Sequence, residues 1–198
     1  MSLPKMPSSW MGYAALVAVL TLVPPSIASA GDAATTALPE RAGGATPTSG
    51  KVPHVQLDEE VRPELVKALL ERAFLLPDVA KRPTIVSLPG SWGLWLTASA
   101  PLADRSGIVR GREFAHIHPD GSLHLPLPPD RVAEAADAGW VERHPWIGTR
   151  EGFTGLVMLF SPRTEAELEV CLQLIVDSYN HVTGRSVSAD QLTPRRSP

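Results

Sequence analysis

Residues 112–127 read REFAHIHPDGSLHLPL, and no other stretch restricts the fold as much. Alternating apolar and polar residues on both sides of Pro-Asp-Gly predict a β-hairpin. The turn decides where each side chain points. A three-residue loop, with Pro119 first, then Asp120, then Gly121 left-handed in a G1 bulge, sets His118 opposite Ser122 and His116 opposite His124. A two-residue Asp120-Gly121 turn would instead set His118 opposite Leu123. Only the first register puts Leu123, Leu125 and Leu127 on the face of Ala115 and Ile117, and a slip of one residue would scatter that face. One side of the hairpin is therefore apolar. Alternation places Phe114, His116, His118 and His124 on the other, with Glu113 on the apolar side. Three of the chain's six histidines thus fall within nine residues, about 5–7 Å apart as cross-strand neighbours.

Three such imidazoles have three uses. They can ligate a transition metal through His116, His118 and His124. They can act as acid or base on a small substrate. Or they are solvated positions on the wet face of a sheet. Their convergence favours the first two, since histidine is not a routine surface filler. A second group, AGWVERHPWIG (138–148), holds Trp140, Arg143, His144 and Trp146. It reads as a pocket wall of apolar rings, a fourth imidazole and a cation, or as aromatics covering the core edge.

The flanking sequence supplies helices. Residues 58–75 carry a helical apolar stripe with Pro63 early. PPDRVAEAADAGW starts on proline and stops at Gly139. A long helix starts at Thr164, with Glu167 three residues later as a capping box, and ends at Gly184. TIVSL (84–88), GLWLTAS (93–99) and GLVMLFSP (155–162) read as strands. The expected class is α+β: a small antiparallel sheet with a central β-hairpin and helices packed on one face. Cys171, the single cysteine, lies in an apolar helical pattern and reads as core.

Residues 1–30 hold one charge, Lys5, a 13-residue mostly apolar run over 11–23 and an A-x-A site at Ala28–Ala30. This predicts an export signal cleaved after Ala30, with retention as an anchor through 11–23 as the alternative; the run is too short for an ordinary membrane span. Residues 31–53, rich in Ala, Thr, Gly and Pro, read as a flexible linker, 54–185 as the folded domain, and 186–198 as a disordered tail. The net charge of −3, with no basic run, argues against a nucleic-acid partner. The expected partner is a small molecule, and the expected location is outside the cytoplasm.

REFAHIHPDGSLHL, AGWVERHPWIG and LFSPRTEAELEV, in this order, resemble the luciferase domain of bioluminescent fungi and its non-luminous bacterial relatives. The resemblance covers 112–184 well and extends more weakly upstream through ERAFLLPDVAKRPTIVSLPG. It implies an oxygenase: the fungal enzyme adds O2 to a hydroxylated α-pyrone, and breakdown of the peroxide releases CO2 and light. No metal or organic cofactor is implied, with O2 as co-substrate. Carried over by position, His116, His118, His124 and His144 match the family's histidines and are the expected catalytic group, with Arg112, Glu113, Trp140 and Arg143 beside them; the pocket-wall reading adds Trp146 as a further substrate-binding residue. The shorter turn and the weaker upstream half depart from the fungal pattern. The rival readings are a metal-dependent enzyme on His116, His118 and His124, and a non-enzymatic extracytoplasmic ligand-binding module.

Overall fold

In the computed structural model the hairpin forms with the three-residue turn. β3 (Glu113–Ile117) and β4 (Leu123–Pro126) pair antiparallel, with His116 opposite His124 and Ile117 opposite Leu123. The His118 N–H donates to the Ser122 carbonyl at 2.8 Å, and the Gly121 N–H to the His118 carbonyl at 3.0 Å. Gly121 has φ +84°, and a Cβ there would come within 2.4 Å of Val66. The turn accepts glycine on both counts.

The structure describes residues 37–57 and 60–194. The export segment expected over 1–30, the start of the linker at 31–36 and the tail end at 195–198 lie outside them. Among the described residues no helix is long and apolar enough to cross a membrane.

Around the hairpin runs a six-stranded antiparallel sheet in the order β1 (Val79–Pro83), β2 (Trp92–Leu96), β3, β4, β6 (Leu156–Leu159), β5 (Val141–Arg143). The hairpin lies at its centre. Three helices complete the α+β arrangement. In α1 (Pro63–Ala73), proline fills the first turn, where a missing N–H costs nothing, and Leu65, Leu69 and Ala73 form the buried stripe. α2 (Pro129–Asp137) buries Val132 and Ala135. α3 (Glu165–Thr183) starts where Thr164 Oγ1 accepts the Glu167 N–H at 3.2 Å and ends at Gly184 with φ +69°. The capping box does not close: the Glu167 carboxylate accepts the Arg163 N–H instead, one residue upstream.

α1 packs on α3, and α3 on β4. Leu123, Leu125 and Leu127 are fully buried in the resulting core, each stabilising the fold by about 1.5–3 kcal/mol relative to exposure. Cys171 is buried there as expected. Burial raises its thiol pKa to about 12, so it is an inert core residue.

Four expectations change. Residues 84–88 are not a strand: β1 lies earlier, over 79–83, and 84–88 is part of the loop between β1 and β2. The short strand β5, Val141–Arg143, had no periodic signal. The expected flexible linker is ordered over its described part. Arg41 is 3% exposed, its guanidinium donating to Thr46 Oγ1 at 2.7 Å and the Ser161 carbonyl at 3.2 Å. Residues 47–57 fold back as a turn bridged between Thr48 and Gln56, and the Gln56 amide is held by Ser161 in both directions, at 2.7 and 3.1 Å. The tail stays ordered to 194, with a 3-10 turn over Ala189–Gln191 and Leu192 buried. Both stretches attach through backbone hydrogen bonds and single buried side chains, which no hydrophobic period reports.

Candidate functional site

A cavity of about 270 Å³ lies over the imidazole side of the hairpin. Its floor is His116 on β3, His118 just beyond that strand and His124 on β4. His144 and Trp146, which follow β5, form one wall. Val86–Leu88 from the β1–β2 connection form another, and Val52–His54 from the N-terminal turn close a third. Ring centroids stand 5.2 Å apart for His116–His124, 5.4 Å for His116–His118, 4.9 Å for His118–His124 and 4.8 Å for His124–His144. His54 is 5.3 Å from both His124 and His144. Five of the six histidines meet here; His181 sits elsewhere, 3.4 Å from Asp104.

The partner of each ring's outer nitrogen sets where its proton sits. His116 Nδ1 is 3.2 Å from Glu113 Oε1. A carboxylate accepts, so this nitrogen carries the hydrogen, and the tautomer this selects has its lone pair on Nε2. His118 Nδ1 is 3.0 Å from Ser122 Oγ, whose own hydrogen goes to Asp120 Oδ1 at 2.7 Å. The hydroxyl therefore accepts from Nδ1, again leaving Nε2 with the lone pair. His124 Nε2 is 3.1 Å from the His54 carbonyl, which can only accept, so the lone pair is on Nδ1. That atom is buried with no hydrogen-bond partner among the described residues. His144 is reversed: its Nδ1 accepts the Trp146 N–H at 3.1 Å, and Nε2–H is the donor. Among the described residues neither ring nitrogen of His54 has a hydrogen-bond partner, although Glu142 Oε1 lies 3.5 Å from Nε2.

Electrostatics keeps four of these rings neutral. Burial, reinforced by His116, His54 and His144, pulls His118 to about 3. Burial, then His54, His116 and Arg150, pulls His144 to about 4. Burial takes His124 well below its ordinary value. It also lowers His54, against the opposing pull of Glu142. Glu113 goes the other way for a carboxylate in a buried site. Burial opposes its ionisation, but hydrogen bonds from His116, Thr84 Oγ1 (2.6 Å) and the Ile85 N–H (3.0 Å) outweigh it and hold the carboxyl below its ordinary range.

Glu113 therefore corrects the sequence reading, which placed it on the apolar face. The register pairs Leu94 with Ala115 but Trp95 with Glu113, so Phe114 is an extra residue in a β-bulge. Beyond a bulge the alternation reverses. Phe114 turns toward Tyr179 of α3, with ring centroids 6.1 Å apart, and Glu113 turns under His116.

Of the other expected site residues, Trp146 lines the cavity, edge-on to His144 at 4.8 Å, with the Arg150 guanidinium 3.7 Å above it. Three lie outside. Arg112 donates to the Leu96 and Ala100 carbonyls at 3.2 and 2.5 Å and braces the turn after β2. Trp140 is in the core, its indole N–H on the Pro39 carbonyl at 2.7 Å. Arg143 points to solvent. Sequence reasoning missed His54; its one signal was a lone histidine at the first residue of the expected domain, directly after the linker.

Nitrogens of His116, His118 and His124 lie within 4.8 Å of one another, as do those of His54, His124 and His144. The first set could hold a metal ion, and the whole group could bind and move protons on an enol or phenol. The family model described as Luciferase domain matches residues 111–178, a span holding the hairpin, His144 and most of α3. No curated protein and no solved structure matches the chain. Over residues 111–178 the chain is thus similar to a luciferase domain, and the match fits an oxygenase-like family.

Proposed function

We propose that the domain reacts a small enolisable or phenolic compound, pyrone-like in character, with O2 inside the imidazole cavity. One observation carries this reading: His116, His118 and His124, each left with a lone pair by its hydrogen-bond partner, line the same small cavity as His144, which keeps its hydrogen on Nε2. Acceptors and a donor around one volume suit a substrate that loses a proton first and gains negative charge on oxygen afterwards. The volume, just below the usual range of ligand pockets, suits a small compound of one or two rings.

His116 is the base we assign. Its Nε2 takes the enol or phenol proton, and Glu113 behind it offsets the charge the ring acquires. The resulting anion gives electron density to O2, a C–O bond forms, and the peroxide anion meets the His144 N–H. Returning the proton from His116 gives the hydroperoxide, so substrate and O2 sum to product with no other reagent. Trp146 and the 86–88 loop exclude water from the intermediate. Arg143, exposed and outside the cavity, has no part in it. The export signal read over residues 1–30 places this chemistry outside the cytoplasm in our proposal.

An oxygen electrode tests the reading with a 3-hydroxy-α-pyrone as substrate. His116→Ala and His144→Ala should each slow O2 uptake by about 100-fold or more while the circular dichroism of the fold is kept. Full turnover in both variants refutes the assigned roles. Pyrone binding with no oxygen consumed would identify a ligand-binding module instead.

A further inference from the structure

We infer that His116, His118 and His124 form a binding site for one divalent first-row transition metal ion. The inference rests on reading the cavity as the reaction chamber, but not on the oxygen chemistry.

The protonation pattern carries it. A histidine that ligates a metal must offer an unprotonated nitrogen, with its other N–H held by an acceptor that fixes the ring. Each of the three rings meets both conditions by a different route. Glu113 holds Nδ1 of His116, Ser122 backed by Asp120 holds Nδ1 of His118, and the His54 carbonyl holds Nε2 of His124. The free nitrogens are then Nε2, Nε2 and Nδ1, and the last is a buried atom with no partner among the described residues. Leaving such an atom unpaired costs about 1–3 kcal/mol, a cost that a bound cation removes.

Spacing agrees. Nitrogen–metal bonds of about 2.0–2.1 Å place three ring centroids around one ion at about 4.5–5.5 Å from each other. The observed separations are 5.2, 5.4 and 4.9 Å.

The rival set of His54, His124 and His144 fails the same criterion. His144 has spent its lone pair on the Trp146 N–H and keeps a proton on Nε2, while His124 has only one nitrogen to give. Three neutral imidazoles suit zinc, copper, iron or nickel rather than magnesium or calcium. They leave the ion's positive charge uncompensated and its remaining positions open. An enolate or a peroxide anion is the ligand such a site accepts. The ion would then meet the enol oxygen where the bare Nε2 of His116 otherwise would; the substrate class and the His144 donor are unchanged.

The test uses the untagged full chain, stripped with chelator and titrated with Zn(II) by calorimetry and with Co(II) by visible absorption. One equivalent should bind. His118→Ala should weaken binding by about 100-fold or more. Glu113→Gln, which keeps every ligand and alters only the group behind His116, should weaken it by about 10–100-fold and guards against misfolding of the ligand variant. His144→Ala should change affinity by less than about threefold. Binding below a tenth of an equivalent in folded protein overturns the inference, and so does an equal loss in His144→Ala and His118→Ala. Metal binding without O2 uptake from the pyrone leaves the site standing and removes the oxygenase reading; O2 uptake by protein that binds no metal does the reverse.

Discussion

The two sides of the β3–β4 hairpin are made of the same residues in alternation, yet they are stabilised in unlike ways. On the helix side, Ile117, Leu123 and Leu125 need only contact; they are buried in the core, and α3 packs on the strand that holds the two leucines. On the other, His116, His118 and His124 are buried almost as deeply, at 8%, 4% and 4% exposure, but each needs a specific acceptor. Those acceptors come from the bulge in β3, the turn and the 47–57 segment. An apolar face is satisfied by any close-packed neighbour of the right volume. A buried polar face is satisfied only by partners of the right kind in the right direction, so its design is spread over distant parts of the chain.

The contrast can be tested first with pH, which should act on the polar face alone. His54, His118, His124 and His144 are held below their ordinary value of 6.5 in the fold. The unfolded chain then binds more protons than the folded one once pH drops below about 6.5. Stability is complete above that pH and is lost as pH falls, by up to about 1.4 kcal/mol per pH unit for each ring. Urea midpoints at pH 7.5, 6 and 5 should fall steadily; a flat profile would show these rings to be solvated.

Leu123→Ala breaks the other face. A fully buried leucine cut to alanine should cost about 2–5 kcal/mol without changing the slope of that pH dependence, as denaturant titration at several pH values would reveal. Gly121→Ala strikes the turn that couples the two faces. Its positive φ and the contact with Val66 predict a loss of about 1–3 kcal/mol, with both the apolar register and the His118–Ser122 bond disturbed. The smallest effect belongs to Arg143→Ala. An exposed side chain outside the cavity should alter stability by less than about 0.5 kcal/mol and leave O2 uptake unchanged; a large drop in uptake would return Arg143 to the site.

Much of this was readable because it is local. The turn chemistry of Pro119-Asp120-Gly121 and the apolar alternation of 123–127 determined the hairpin register, the pairing of His116 with His124, and the burial of one face. Caps located α2 and α3 to within a few residues, while periodicity alone found α1 but started it at 58 where the helix begins at Pro63. A single peptide can express these signals, because each depends on residues less than about one turn or one strand apart.

What lay beyond reach was every feature that depends on a partner far along the chain. The bulge that turns Glu113 beneath His116 arises from pairing with β2, and no residue of β3 alone announces it. His54 enters the cavity because Gln56 is caught by Ser161, 105 positions away. Trp140 and Arg143 stand next to His144 in sequence, yet one faces the core and the other water. The sequence by itself determined which residues could carry the chemistry. Tertiary structure decided which of them meet and which nitrogen of each ring is free, because a proton's position on an imidazole follows from an acceptor that only folding brings near.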